Sequence, residues 1–356
     1  MTANPRGVVV VGTGFGCRIH VPALREAGFD VVGLVGADAD RTRRRADRAG
    51  IAHAGTSLTE ALRVPHADVV IVATPPDTHA ELAEEAVAAG RHVLVEKPFT
   101  LDAPEAHRLV DAANAAGVVA LVGHEFRFAP ERVTFGDAVN RGLVGTPRLA
   151  TFIGHTSFLA AFGDVMPGWW YEPGRGGWLG AAVSHRIDAV HVWLGEIASL
   201  SAALPARSAD TAEDSVSVRF RLQSGCEAVL QESAAVWGPG LSITSVAGTH
   251  GTVAITADGV TLATADGTRT LEPAGPPLPV TVPRSDDPRK ALHHIELEPA
   301  IAQAMALRGL VAGRPPADDL VAPATFRDGA ACMEVLDAIR RSAAAGGAEC
   351  EVRRAG

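Results

Sequence analysis

From the N-terminus to about residue 125, apolar residues come in short unbroken runs: Gly7–Val11, Val31–Gly36, Ala67–Ala73, His92–Val95 and Val118–Gly123. A run without polar alternation fits a strand covered on both faces. The stretches between them include Arg18–Ala27, Thr78–Ala89 and Pro104–Ala115, which read as helices, with Asp77 and Asp102 placed near the starts as cap candidates. Strand and helix in alternation predict a parallel, doubly wound sheet with right-handed crossovers, and residues 1–125 form this first domain.

After Gly145 the texture changes. Asp214-Ser215-Val216-Ser217-Val218-Arg219-Phe220-Arg221-Leu222 alternates polar and apolar and is followed by the turn Gln223-Ser224-Gly225; similar runs are Cys226–Glu232, Leu241–Ala247, Thr252–Thr256 and Val260–Thr264. A period of two predicts strands with one covered face. Residues 126–356 therefore read as a second α/β domain built on a large, mostly antiparallel open sheet. Helical segments Gly174–Leu194, His293–Val311 and Pro323–Ala344, or another subunit, are the candidates to cover its second face. The C-terminal helices, 293–344, are also candidates to pack back on the first domain. The proline-rich stretch Pro273–Pro283 reads as an irregular linker.

Composition narrows the function classes. At 356 residues the chain fits two domains of ordinary size. No stretch approaches the roughly 20 consecutive apolar residues that span a bilayer, and the N-terminus has no apolar signal region, so the reading is a cytoplasmic protein without a membrane partner. The four cysteines lie far apart with no C-x-x-C pair, which suggests neither a disulfide framework nor a metal site. A net charge of −9 argues against nucleic acid.

The chemistry begins where the first strand ends. In Val11-Gly12-Thr13-Gly14-Phe15-Gly16-Cys17, a β-branched run breaks into glycines where a helix starts. Gly12 permits the tight turn, Gly14 leaves room for backbone to approach a pyrophosphate, and the helix offers its N–H groups and positive dipole end. Cys17 stands where the third glycine of the fingerprint is usual. Downstream, Glu96-Lys97-Pro98 follows the run His92–Val95 and so sits at the carboxyl end of a parallel strand, the edge where doubly wound sheets bind ligands. Among 32 Lys plus Arg only Lys97 and Lys290 are lysine, which hints that an ammonium or a proton-transferring group is wanted at position 97. A strand-end lysine reaching for solvent is the alternative. Glu125 follows the fifth run and reads either as a carboxylate at the same edge or as a solvated loop residue. The aromatic residues Trp169, Trp170, Tyr171 and Trp178 offer rings to stack against a sugar face, or simply pack.

Together, the Gly12–Gly16 loop, Ala73-Thr74-Pro75-Pro76-Asp77-Thr78-His79, Glu96-Lys97-Pro98, Phe126-Arg127-Phe128-Ala129-Pro130 and Gly176–Asp188 resemble the glucose-fructose oxidoreductase and inositol dehydrogenase family, Gfo/Idh/MocA. The resemblance covers nearly the whole chain. It implies a Rossmann domain, an α/β domain whose open sheet joins homodimers or homotetramers, and hydride transfer between NAD(H) or NADP(H) and a sugar-like or cyclitol-like hydroxyl or ketone. Gly12, Gly14, Phe15, Gly16, Thr74, Pro75, His79, Glu96, Lys97 and Pro98, from these motifs, and Asp38 and Arg41, past the second strand, are the cofactor-binding candidates. Glu125, Arg127, Trp170, Tyr171, Ser184 and His185 are the substrate-binding candidates. Lys97 and His185 are the catalytic pair, His185 exchanging the hydroxyl proton while Lys97 polarises the oxygen, and Pro98 matches a proline that follows a cis peptide. Ala181 departs from the family, which often has Asp four residues before the histidine; Glu125 and Asp188 are the acids available to replace it. An NAD-dependent glycoside hydrolase and a non-catalytic NAD(P)-binding sensor or assembly protein are the alternatives.

The second strand reads as ending at Gly36-Ala37, without the acid that usually binds the ribose of NAD. Asp38 comes later, and Arg41, Arg43, Arg44 and Arg45 follow it. This tips the reading toward NADP, with Arg41 pairing the 2′-phosphate. Asp38 reaching back to the ribose of NAD is the alternative.

Overall fold

The structure is a computed structural model that describes residues 6–163, 166–275, 293–314 and 321–353. The chain divides into two compact units, residues 1–128 with 277–330, and residues 129–276 with 331–356.

In the first unit six strands, β1 (Gly7–Val11), β2 (Asp30–Val35), β3 (His53–Gly55), β4 (Ala67–Val72), β5 (His92–Val95) and β6 (Ala120–Val122), form a sheet in the order β3-β2-β1-β4-β5-β6. Every pairing is parallel. The order reverses between β1 and β4, the switch point where such sheets bind nucleotides. Val8, Val9 and Val10 are wholly buried, so the unbroken apolar run reflects cover on both faces. The crossovers carry α1 (Val21–Glu26), α2 (Ala39–Ala49), α3 (Leu58–Ala61), α4 (His79–Ala88) and α5 (Ala103–Ala116). Asp102 caps α5 by accepting from the Glu105 N–H at 2.9 Å. Asp77 is no cap: Pro75 and Pro76 lead into a 3₁₀ turn, Pro76–Thr78, and α4 starts only afterwards.

The helix His293–Val311 also belongs to this unit. Its Ala300, Ile301, Ala304 and Leu307 join a core with Val8, Leu24, Ala27 and Leu121. Gln303 donates to the Val122 carbonyl at 2.8 Å, and Arg308 to that of Ala27 at 2.9 Å. The apolar face of this helix thus completes the first core. Of the expected linker Pro273–Pro283, residues from 276 on lie outside the described ones.

Among the described residues the second unit holds nine strands: β7 (Pro147–His155), β8 (Ile197–Ala203), β9 (Ser215–Leu222), β10 (Glu227–Ser233), β11 (Leu241–Gly248), β12 (Gly251–Thr256), β13 (Gly259–Thr264), β14 (Gly267–Thr270) and β15 (Cys350–Glu351). Their order is β14-β13-β12-β11-β7-β10-β9-β8-β15, with β7 and β10 parallel and the other pairs antiparallel. Helices α6 (Pro130–Asn140) and α8 (Ser184–Leu194) lie on one face, and a short α7 (Phe158–Phe162) follows β7. Trp193 packs on Phe135 at 4.6 Å and Phe152 at 6.3 Å between ring centres. Residue 136 is glycine because a Cβ there would stand 2.7 Å from the Trp193 ring. The opposite face carries Leu149, Val229 and Ile243, which are 60%, 43% and 37% exposed. The helix expected from Gly174 begins only at Leu179, with a π turn Leu179–Val183 leading into α8. Gly174 and Gly177 have φ of +79° and +100°, a left-handed backbone that no right-handed helix contains.

Candidate active site

At the end of β1 the chain turns at Gly12, where φ is +116° and a Cβ would run into the Ala73 carbonyl. Gly14 is different: nothing in the protein lies within 4 Å of where its Cβ would be. The fold tolerates a side chain there, so the reason for glycine lies outside the chain, which fits an approaching pyrophosphate. The helix then opens with a π turn, Gly16–His20, and runs on into α1. That extra residue shifts the fingerprint. A Cβ on Gly16 would stand 2.8 Å from Val10, so Gly16, and not Cys17, provides the close helix-to-strand packing.

The end of β2 has no side chain to offer. A Cβ on Gly36 would come 2.5 Å from Thr13 and 2.6 Å from Thr42. The Asp38 carboxylate caps α2, accepting from the Arg41 N–H at 2.7 Å, while the Arg41 side chain is exposed. Arg45 is the arginine that reaches the glycine loop, donating to the Thr13 carbonyl and, at 3.1 Å, to its hydroxyl. Nothing in the Arg41–Arg48 run distinguishes Arg45 from its neighbours; only helix phase turns it inward.

Past β4, the Thr78 hydroxyl donates to that of Thr74 at 2.7 Å, and Pro75 leads into the 3₁₀ turn. His79 is wholly buried, with Nε2 2.9 Å from the Thr74 carbonyl and Nδ1 3.0 Å from that of Pro98. Burial pushes its pKa down, against both carbonyls. The ring thereby ties the β4 exit to the Lys97–Pro98 segment. The Lys97–Pro98 peptide is cis.

Glu96, also buried, accepts from His20 Nε2 at 2.8 Å and from the Lys97 N–H at 3.2 Å. Burial alone raises a carboxyl pKa, but the His20 hydrogen bond and charge, with Lys97, hold Glu96 below its ordinary value. Phe15 meets the His20 ring edge-on at 5.5 Å and lies under the Arg18 guanidinium at 5.4 Å. Glu125, in the 3₁₀ turn Glu125–Phe128 after β6, is 3% exposed. Burial, then the neighbouring Glu96 charge, push its carboxyl well above the ordinary range. Its reading as a solvated loop carboxylate does not hold. Arg127 pairs with Asp328 at 3.0 Å and is buried, so a packing partner accounts for it. His20 had no sequence signal beyond its place one turn into the helix.

In the second unit His185 sits in the first turn of α8, 4% exposed, and its carbonyl accepts from Arg132 at 3.4 Å. Burial, then the like charge of Arg186, push Arg132 down to about 10. Arg186 in turn pairs with Glu232 at 2.7 Å and donates to the Thr244 hydroxyl at 3.4 Å. Ser184 donates back to the Gly180 carbonyl at 2.7 Å, a bond within the helix. Ala181 lies on the π turn, and Asp188 is buried one turn beyond His185. Glu213, unremarked in the sequence, accepts from the Leu179 N–H at 3.1 Å and caps the π turn. Tyr171 donates to the Gly163 carbonyl at 3.0 Å, and the Trp170 ring lies 5.7 Å from that of Trp169 and 6.3 Å from that of Phe158. Among the described residues no group of three or more His, Cys, Asp and Glu is placed to hold a metal, and no helix is long and apolar enough to cross a membrane.

A doubly wound sheet with a glycine turn at its switch point, joined to a second α/β unit on an open sheet, defines a two-unit nucleotide-binding oxidoreductase class. Residues 6–124 match the oxidoreductase family with an NAD-binding Rossmann fold, Gfo/Idh/MocA, and residues 134–254 match the C-terminal domain of the same family. The chain belongs to the Gfo/Idh/MocA family. It is 31% identical over 277 residues to a D-apiose dehydrogenase of Paraburkholderia graminis, covering 76% of this chain and 72% of that one. It is 34% identical over 210 residues to an uncharacterised oxidoreductase of Synechocystis, covering 57% of this chain and only 56% of that one. The crystal structure of GenD2, from gentamicin A biosynthesis, in complex with NAD superposes with a TM-score of 0.77 at 27% identity, over 99% of this chain and 98% of that one.

Gly14→Val will abolish binding of the dinucleotide while leaving the melting temperature near that of the wild type, whereas Gly12→Val will destabilise the fold, because only the second clashes with protein. Fluorescence titration with NADH and NADPH beside thermal melts checks this; normal affinity in Gly14→Val refutes it. A carboxyl held above its unfolded pKa stabilises the fold fully at low pH and loses that contribution as pH rises through the folded value. Glu125→Gln will therefore remove a decline of stability with rising pH: in denaturant melts the two proteins share their pH dependence at the acidic end and separate as pH rises, only the wild type losing stability. Identical pH dependence in the two proteins would rule out a raised Glu125.

Proposed function

We propose that this chain is an NAD(P)-dependent oxidoreductase acting on a secondary alcohol or ketone of a small sugar-like or cyclitol-like molecule. The observation that carries the reading is Gly14, whose missing side chain no part of the protein explains and a bound pyrophosphate does. The names of the relatives support the substrate class, one being a D-apiose dehydrogenase and one coming from gentamicin A biosynthesis.

When bound, the nicotinamide supplies the redox chemistry. The chain supplies the proton chemistry. Lys97, its backbone pinned to the Glu96 carboxylate at the exit of β5, polarises the substrate oxygen, and His185, at the start of α8, exchanges the hydroxyl proton. With Ala181 in place of an acid, His185 works without a carboxylate four residues before it. Assay of a panel of polyols and keto-sugars with both cofactors tests the whole reading, and failure to bind either NADH or NADPH overturns it.

Two finer readings go with it. The cofactor is NADP(H) ahead of NAD(H), since Gly36 offers no carboxylate, Asp38 is engaged by its own helix, and Arg41 stands exposed within that first turn. The functional unit is a homo-oligomer joined through the free sheet face. There Val229 lies opposite Thr151, and Ile243 opposite Ile153, in one apolar patch that also takes in Leu149.

Lys97→Ala and His185→Ala should each lower kcat/KM by on the order of 100-fold while keeping cofactor affinity within a few-fold, the size expected of general acid–base groups. Steady-state kinetics decides, and a near-normal rate in His185→Ala removes it from the mechanism. Arg41→Ala should lower kcat/KM with NADPH by about tenfold and leave NADH unchanged; a wild-type preference for NADH that Arg41→Ala does not alter refutes the NADP(H) reading. Val229→Glu should split the oligomer into protomers by light scattering, and a monomeric wild type overturns the assembly.

A further inference from the structure

The turn that opens the nucleotide site is Gly12-Thr13-Gly14, and each of its residues is tied down by a different element. Gly12 donates its N–H to the Val35 carbonyl of β2 at 2.8 Å, and Gly14 accepts from the Arg18 N–H of the following helix at 3.2 Å. Both of these ties are backbone to backbone. Thr13 is held from α2: Arg45 Nη1 donates to its carbonyl and, at 3.1 Å, to its hydroxyl. Among the described residues no other side chain hydrogen-bonds to the turn. The helix that carries Arg45 is itself well fixed. Its cap Asp38 accepts from the Arg41 N–H at 2.7 Å, the Thr42 hydroxyl donates to the Asp38 carbonyl at 2.6 Å, and Thr42 and Ala46 are wholly buried.

Arg45 is half-buried, and among the described residues no carboxylate pairs with it; Asp47, on the same helix, takes Arg43 at 3.6 Å. Its Nε and Nη2 meet no acceptor among those residues either. The charge is felt along the turn, since burial pushes the Cys17 thiol up and Arg45 draws it back down. A trans peptide is planar, with its C=O and N–H pointing opposite ways. Fixing the Thr13 carbonyl toward α2 therefore turns the Gly14 N–H away from that helix. Glycine has the most backbone freedom to lose, so a turn fixed before its ligand arrives binds at lower entropic cost. We infer that Arg45 is a positioning residue of the dinucleotide site: from α2 it holds the Thr13–Gly14 peptide in the conformation that receives the pyrophosphate and sets a positive charge beside it. The inference rests on the nucleotide-binding reading of this turn. It divides labour along one helix face: Arg41 is the proposed reader of the 2′-phosphate, and Arg45, one turn on, serves the pyrophosphate that every such ligand carries.

The test is calorimetric titration of the full chain with NADH, NADPH and ADP-ribose, beside thermal melts. The three share the pyrophosphate and differ in the 2′-phosphate and the nicotinamide. We expect Arg45→Gln to weaken every one of them that binds the wild type by a common factor of about tenfold, the size of a charge-assisted hydrogen bond, while melting near the wild type. Arg45→Lys, which keeps the charge without the fork of donors, should recover part of that affinity. A loss confined to NADPH would assign Arg45 to the 2′-phosphate and overturn the inference. Wild-type affinity in Arg45→Gln, affinity lost only together with thermal stability, or an Arg45→Lys variant no better than Arg45→Gln also overturns it, and each of these leaves the nucleotide site standing. Should Arg45→Gln fail to fold, Arg45→Lys decides: a common loss for all ligands supports the role, and wild-type affinity refutes it. Binding of none of the three to the wild type overturns the nucleotide site and the role of Arg45 together.

Discussion

The hydrogen bond between His20 and Glu96 is the constraint on which the first unit's functional edge depends. It ties the helix that leaves the glycine loop to the exit of β5, two segments 76 residues apart in the chain. A carboxylate taken from water into such a place is costly unless its oxygens are satisfied, and Glu96 satisfies one on His20 and the other on the Lys97 N–H. That second bond fixes the backbone of Lys97. His79 fixes the same segment from behind, through the Pro98 carbonyl, and holds the β4 exit with its other nitrogen. The lysine proposed for catalysis is thus held by buried polar contacts to β4, β5 and the first helix, which is how a flexible side chain gains a defined origin.

Burial then separates the two carboxyls that follow adjacent strands. Glu96 and Glu125 are both buried, yet the first carboxyl is held below its ordinary value and the second well above it: burial raises both, the His20 hydrogen bond and charge outweigh it at Glu96, and the Glu96 charge adds to it at Glu125. Opposed environments of this kind mark sites where protons are handled. The second unit uses its charges differently: the Arg186–Glu232 pair joins α8 to β10 and so sets the helix that bears His185 on the sheet.

The parallel sheet was legible because strands covered on both faces need unbroken apolar runs, and β1 and β5 fall where Gly7–Val11 and His92–Val95 place them. Strands β9 to β13 were legible by alternation. β3 has three residues and β15 two, too short for any period, and β7 and β8 were not singled out. The expected helix Gly174–Leu194 mistook a loop for its first turns, since a helical pattern does not show where left-handed glycines interrupt it.

Local chemistry is what the sequence by itself determined: the turn at Gly12, the open space at Gly14, Lys97 at a strand end, His185 within a helical segment. Each follows from neighbours within a few residues, so the order of residues suffices to specify it. The tertiary structure alone decided which of those residues meet distant ones. His20 is an ordinary helix residue until β5 brings Glu96 to it, Arg45 one arginine among several until α2 turns it onto Thr13, and Glu125 a loop carboxylate until the His293–Val311 helix folds back over the edge. Charge, burial and proton affinity are set by everything nearby in space, and most of what is near in space here is remote in the chain.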